Sequence, residues 1–229
     1  MKLSLEIPLK HIPEFLPLTD FSFLLAHLVL EKAYPVNAYL PSILLDNSMY
    51  ELKDQPLEIE QLVEAAKRCR PQSVIAPDWM NDSVRTLQAA ADMKGIYPGS
   101  VGGVVQGADP QERIECFYTL QKEGFSPICF PFRTPRNETI GALLLQGAFK
   151  SGEWYHLLGL QDLSELSWRP PGVWSVDTAK PFKSFRLDKA QQIRGHGILD
   201  VHKKLTPHER ALASWNIAYM RKLIQRRYK

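Results

Sequence analysis

The feature that most constrains this chain is a recurring unit: a short apolar, strand-like run, a polar turn, then a segment with helical periodicity. The clearest runs are SILLD (Ser42–Asp46), SVIAPD (Ser73–Asp78), VGGVVQ (Val101–Gln106), PICFPF (Pro127–Phe132), WYHLLG (Trp154–Gly159) and VWSVD (Val173–Asp177). Ser22–Ala26 adds a seventh strand, and Leu3–Ile7 is expected to be an eighth or a lid strand. Strand–helix alternation forces parallel pairing, because the chain must cross back over the sheet before each new strand. Two architectures satisfy this: a compact (β/α)8 TIM-like barrel, or an open doubly wound sheet. Seven or eight units favour the barrel, although periodicity does not reveal closure. The 229 residues suffice for one such domain, taken here as 1–229.

The helices between these runs announce their own starts. Asp109, Pro110 and Glu112 read as N-cap, first-turn proline and capping-box acid, with Gly124 ending that helix. Asp82 and Asn137 are expected caps for their own helices. Core-facing stripes are expected at Ile59, Leu62, Val63 and Ala66, at Ile114, Phe117, Tyr118 and Gln121, and at Ile140, Leu143, Leu144 and Gly147. The Gly102-Gly103 pair inside a strand points to close backbone packing rather than phosphate cradling. Thr206-Pro207-His208-Glu209 opens a C-terminal helix over about 206–229, with Leu212, Trp215, Ile217, Tyr219, Leu223 and Ile224 on its apolar side. That helix closes the fold, tracks phosphate with its basic face, or does both.

Composition narrows the classes. The opening segment Met1–Pro8 alternates polar and apolar residues, unlike a secretory signal. The longest apolar run, Phe21–Leu30, is too short to span a bilayer. A soluble, cytoplasmic protein without a membrane partner is therefore expected. Cys69, Cys116 and Cys129 have neither zinc-cluster nor disulfide-framework spacing and are expected to be free, buried thiols. The six histidines show no metal-ligand spacing, so no metal is expected. A net charge of +3 is a weak nucleic-acid signal overall, but Arg221, Lys222, Arg226, Arg227 and Lys229 concentrate it at the C-terminus. Arg133 and Arg136 follow a strand end and are candidate phosphate contacts, as are Lys203 and Lys204 beside His196 and His202.

Four of the strand runs end on a polar side chain: Asp46, Asp78, Gln106 and Asp177. Any one of them could simply cap the next helix. In a parallel barrel the strand C-termini share one face, so together they would converge, and crowded carboxyls raise one another's pKa.

The local sequences sharpen this reading. Asp46-Asn47-Ser48-Met49-Tyr50-Glu51, Pro77-Asp78, Val105-Gln106-Gly107, Leu158-Gly159-Leu160 and Ser175-Val176-Asp177-Thr178 occur in that order. Over roughly residues 22 to 185 the series resembles the queuine/archaeosine tRNA-ribosyltransferase family, and most closely its compact phage-type branch of DNA 7-deazaguanine transglycosylases. The resemblance implies that Asp177 is the nucleophile at C1′ and Asp46 the proton-handling carboxylate of a DSGGFQ-type motif. It places Tyr50 as the ring stacked on the base, Asp78 and Gln106 as readers of the base edge, and Gly159 as a pocket glycine. It also implies DNA as polymer, with tRNA as the alternative, and a free 7-deazaguanine such as preQ0 as the incoming base. No cofactor is implied. Accessory DNA-modification proteins and a non-catalytic nucleic-acid-binding subunit remain within the same resemblance.

The sequence departs from that family at identifiable positions. Ser48 and Met49 replace its paired glycines, Glu51 its final glutamine, and Phe130-Pro131-Phe132 its Gly-Gly pair. The three cysteines and one histidine that hold structural zinc in the tRNA enzymes have no counterpart here. That difference tilts the expectation towards DNA.

Overall fold

The computed structural model describes residues 1–35, 41–53, 55–167, 170–183, 185–189 and 200–225. Eight strands form one all-parallel sheet: β1 (Lys2–Leu3), β2 (Ser22–Leu25), β3 (Ile43–Asp46), β4 (Ser73–Ile75), β5 (Val101–Val104), β6 (Ile128–Pro131), β7 (Trp154–Leu158) and β8 (Val173–Val176). Their order is β1-β8-β7-β6-β5-β4-β3-β2. Apart from β1, each strand pairs in parallel with its chain neighbour, and the intervening chain crosses back before each new strand. The N-terminal run is thus a sheet strand on β8 rather than a lid.

The sheet curls. Phe23 on β2 stacks on His156 of β7 with ring centroids 5.7 Å apart, although these strands lie at different ends of the order. No ladder joins β1 to β2. Three hydrogen bonds nevertheless cross that seam: Leu3 N to Asp20 Oδ2 (2.7 Å), Asp20 N to the Leu3 carbonyl (2.8 Å) and Ser4 Oγ to the Phe21 carbonyl (2.8 Å). The fold is therefore an eight-stranded parallel α/β half-barrel with a bridged seam.

Helices α1 (Ile12–Phe15), α2 (Ala26–Leu30), α3 (Ile59–Cys69), α4 (Ser83–Ile96), α5 (Pro110–Lys122), α6 (Arg136–Leu145) and α7 (Pro207–Gln225) complete the fold. Asp82 caps α4 by accepting from Arg85 N, and Asp109 caps α5 by accepting from Glu112 N. Asn137 does not cap α6. Pro135 occupies that position, and Asn137 lies within the first turn. The Thr206–Glu209 capping box forms as read, with each residue's side chain accepting from the other's backbone N–H.

The α3 stripe is buried except at Ile59, but two stripes are rotated from expectation. On α5 the buried residues are Arg113, Cys116, Phe117 and Leu120, with Tyr118 exposed. On α6, Leu144 is exposed while Thr139 is buried. Apolar residues outside the stripe pulled the reading off by about one position. Buried Asn216 sits on the inner side of α7, where its amide donates to the Pro181 and Phe185 carbonyls and its oxygen accepts from Leu187 N. This pins α7 to the segment after β8, so a polar residue outranks Leu212 and Leu223 on that face.

The strands other than β1 bury both faces. Outward residues join a large core under the helices, where Phe130, Phe149, Tyr155 and Trp174 pack ring against ring. Contacts of this kind add roughly 0.5–1.5 kcal/mol each beyond simple burial and hold β6, β7 and β8 in register. Inward residues Phe23, Leu25, Leu44, Ile75, Val104 and Cys129 form a second, smaller core on the concave face. Gly103 faces α5, where a Cβ would stand 2.3 Å from Leu120 Cδ2, which is why the strand needs a glycine there. Cys116 and Cys129 are buried and Cys69 half-buried, all free. Burial raises the Cys69 and Cys116 thiols to about 11 and the Cys129 thiol well upward, so all three stay protonated.

Candidate active site

Side chains two residues apart on a strand point the same way. The inner core residue Leu44 is therefore followed on its own face by Asp46, Val104 by Gln106, and Ser175 by Asp177. By the same step, Ser4 after β1 is followed by Glu6. These side chains rise past the small core into one cleft at the C-terminal ends of the strands, about 940 Å³ including its open mouth. Asp46, Tyr50, Asp78, Gln106, Gly159, Asp177 and Arg133 all line it, so the fold brings together all six catalytic and base-binding candidates read from sequence and one of the four candidate phosphate contacts. The cleft also admits Glu6, Glu51, Lys180 and Lys183, which the sequence reading did not single out as site residues.

Asp177 is 3 % exposed. Burial alone would raise its pKa. The hydrogen bond with His156, the Gly159 N–H and a hydrogen bond with Glu6 more than offset this and hold it below its ordinary value. Its Oδ1 accepts from His156 Nε2 at 3.0 Å and Gly159 N at 2.9 Å. Gly159 has φ +67°, and a Cβ there would stand 2.9 Å from Phe132 Cδ1. Gly159→Ala should therefore cost about 1–3 kcal/mol in a denaturant titration and disturb the donor to Asp177. Unchanged stability in that variant would refute the close approach.

The neighbouring carboxyls behave oppositely. Asp46 is raised well above its ordinary value by burial, then by the charge of Glu51, despite accepting from Ser48 N at 2.7 Å. Glu6 is raised well upward by burial, then by the charge of Asp177. Glu51 is pushed from 4.5 to about 7, chiefly by burial, and its Oε2 has no hydrogen-bond partner among the described residues. Ionised Asp177 thus sits beside proton-holding Glu6, Asp46 and Glu51, the division of labour that acid–base chemistry needs.

Glu51 makes stability depend on pH. Between about 4.5 and about 7 its folded form keeps a proton that the unfolded chain has released. The native state then binds more protons, so this group lowers stability as pH rises through that window. Glu51→Gln should gain melting temperature over the wild type progressively from pH 5 to pH 8. A constant gap across that range, followed by scanning fluorimetry, would refute the shift.

The wall that carries Asp78 and Gln106 is held in place. Asp78 Oδ1 accepts from Asn47 Nδ2 at 2.9 Å and Oδ2 from Gln106 Nε2 at 2.7 Å. Gln106 Oε1 accepts from Asn81 N at 3.3 Å. Tyr50 meets Phe132 edge-on at 5.2 Å and carries the Arg133 guanidinium 4.4 Å from its ring centre. Arg133 therefore belongs to the cleft wall, sharing the ring expected to stack on a base. Lys180 is buried, donates to the Gln161 carbonyl at 3.2 Å, and has its pKa lowered by burial to about 8.

Three basic expectations change. Arg136 is fully buried and cannot meet a phosphate, because its guanidinium pairs with equally buried Glu165 at 2.6 Å. Lys203 is paired with Glu209 at 2.7 Å, and Lys204 is exposed on the same segment. Arg221, part of the basic C-terminal helix, is tied to Asp20 at 2.6 Å. Arg226 and Arg227 lie outside the described residues, as does His196.

The largest omission from the sequence reading is His156, treated there as one of six scattered histidines. Its placement inward beside Asp177 could have been read from the same two-residue step along WYHLLG. Among the described residues no cluster could hold a metal ion, and no helix is long and apolar enough to cross a membrane. Compared with models of known families and with curated proteins, the chain has no match in either.

Proposed function

We propose that the protein is a DNA-guanine transglycosylase, replacing a guanine in DNA with a free 7-deazaguanine such as preQ0 through a covalent aspartyl-sugar intermediate. The observation that carries this reading is the anionic Asp177 beside the proton-holding Asp46, in a cleft whose wall presents Asp78 and Gln106. Guanine offers N–H donors on its Watson–Crick edge, which suit the Asp78 carboxylate, and Gln106 can donate or accept. The target base must be extruded from the duplex or single-stranded, since stacked DNA shields both C1′ and the base edge.

In the first step an Asp177 oxygen attacks C1′ and the C1′–N9 bond breaks. Its electron pair leaves on guanine, which takes a proton from Asp46, and an Asp177–sugar ester forms. In the second step Asp46, now ionised, removes the proton from the incoming base. The base nitrogen bonds to C1′, and the ester C–O pair returns to Asp177. Two inversions retain configuration, and the proton on Asp46 is restored.

Proton-holding Glu6, Asp46 and Glu51 limit the negative charge of the cleft, while Arg133, Lys180 and Lys183 add positive charge. Both ease the approach of a polyanion. The modest net charge of +3 favours delivery of DNA by accessory proteins. Within this reading the bridged seam is the closing edge of a (β/α)8 barrel, and the protein works in the cytoplasm, the host's if it is phage-encoded. Incubation with labelled 7-deazaguanine and either guanine-containing DNA or tRNA is the test. Label in DNA is expected. Label in tRNA alone would move the activity to that polymer, and label in neither would overturn base exchange.

A further inference from the structure

Asp177 ends a hydrogen-bonded chain that begins at Trp154. The indole Nε1–H can only donate, and it does so to Ser175 Oγ at 2.6 Å. The single Ser175 hydroxyl proton then has two acceptors in reach: His156 Nδ1 at 2.8 Å and the Tyr155 carbonyl at 3.4 Å. The shorter contact places it on Nδ1. A neutral imidazole accepting at Nδ1 carries its proton on Nε2, and Nε2 faces Asp177 Oδ1 at 3.0 Å. Every bond in the chain points the same way. His156 and Ser175 are both fully buried, and Phe21 and Phe23 pack on the imidazole at 6.0 and 5.7 Å, which keeps the ring in this orientation.

We infer that Trp154, Ser175 and His156 form a one-directional relay that fixes the His156 tautomer and aims its Nε2–H at Asp177 Oδ1. They are positioning residues, acting on the reaction only through Asp177. The titratable groups around Asp177 are Glu6 from the segment after β1, Asp46 and Glu51 from the segment after β3, Cys129 on β6 and His156 on β7. Asp78, Arg133, Lys180 and Lys183 line the same cleft. Burial and any neighbouring carboxyl that loses its proton oppose an anion at Asp177, whereas protonated Glu6 hydrogen-bonds to it. The donors opposing them at its Oδ1 are the His156 ring and the Gly159 N–H. The relay thus favours the ionised form of Asp177, just as an orienting partner sets a ligand or catalytic histidine elsewhere.

The kinetic consequence rests on the base-exchange reading, whereas the ionisation consequence does not. The test follows the Asp177 carboxyl carbon and the His156 ring nitrogens by NMR titration in the wild type, S175A, H156F and H156Q. S175A should raise the Asp177 midpoint by about one pH unit, a tenfold change in its ionisation constant, and H156F by more. H156Q, whose amide can donate from near the Nε2 position, should restore part of the shift. In the exchange assay S175A should lower kcat about 10- to 100-fold with little change in KM, and move the acid limb of the pH profile upward by the same unit. An Asp177 midpoint unmoved in folded S175A would overturn the relay, even if activity fell. Should H156F fail to fold, S175A remains decisive, because it removes one hydroxyl. A shifted midpoint without any exchange in the wild type would support the relay and overturn base exchange instead.

Discussion

Asp177→Asn should abolish base exchange, lowering kcat by about 10⁴-fold or more, while the protein stays folded. An asparagine keeps an oxygen to accept from Gly159 N and fills the same volume, so the cleft should retain its shape. Its amide is no nucleophile, so no ester with the sugar can form. Because the fold favours the ionised form of Asp177, the neutral amide should lower the melting temperature modestly without unfolding the protein. Two measurements check this together: turnover with labelled base, and recovery of a covalent protein–DNA adduct from the wild type but not the variant. Turnover within tenfold of the wild type would remove Asp177 as the nucleophile. Asp46→Asn should instead form the adduct slowly, because guanine must leave without its proton donor, separating the proton donor from the nucleophile.

Arg136→Met should cost about 3–5 kcal/mol, the largest stability effect expected from a single substitution in this chain. The guanidinium donates to Glu165 through Nε (2.9 Å) and Nη2 (2.6 Å), to the Phe130 and Leu158 carbonyls at 3.0 Å, and to the Gly159 carbonyl at 2.7 Å. Glu165 Oε2 also accepts from Gln161 N at 2.8 Å. Removing the cation leaves a buried carboxylate uncompensated and releases the ends of β6 and β7. For a domain of this size the melting temperature should fall by about 10 °C. Because the Gly159 N–H binds Asp177, activity should fall further than the lost stability alone would explain. The double variant Arg136→Met/Glu165→Leu should recover part of the melting temperature, since it leaves no lone charge. A single variant as stable as the wild type would refute the clamp.

The parallel α/β organisation was legible because it is written locally. Each strand run is short and apolar, each helix has a cap that is a neighbour in sequence, and crossover geometry leaves few topologies. The caps Asp82, Asp109 and Thr206 formed as read for this reason. Helix faces were less legible. Tyr118 and Leu144 look like core residues by type, yet which stripe is buried depends on the neighbouring helix and sheet, and both ended exposed.

The candidate site divides the same way. Asp46, Asp78, Gln106 and Asp177 were identifiable as polar residues closing apolar runs. Glu6 was hidden because its strand has only two residues and its partner, β8, lies at the far end of the chain. Arg136 read as a surface cation because burial of an arginine is visible only once its partner, Glu165, is in place.

By itself the sequence determined that strands and helices alternate, that the strands run parallel, and which polar groups stand at their ends. Only the tertiary structure decided what those groups are to one another. Strands buried on both faces carry no polar alternation, so the sequence does not record which residues point inward. The curl of the sheet brings residues far apart in the chain into one cleft. There, burial favours the protonated form of Glu6, Asp46 and Glu51, while His156, the Gly159 N–H and Glu6 favour the ionised form of Asp177.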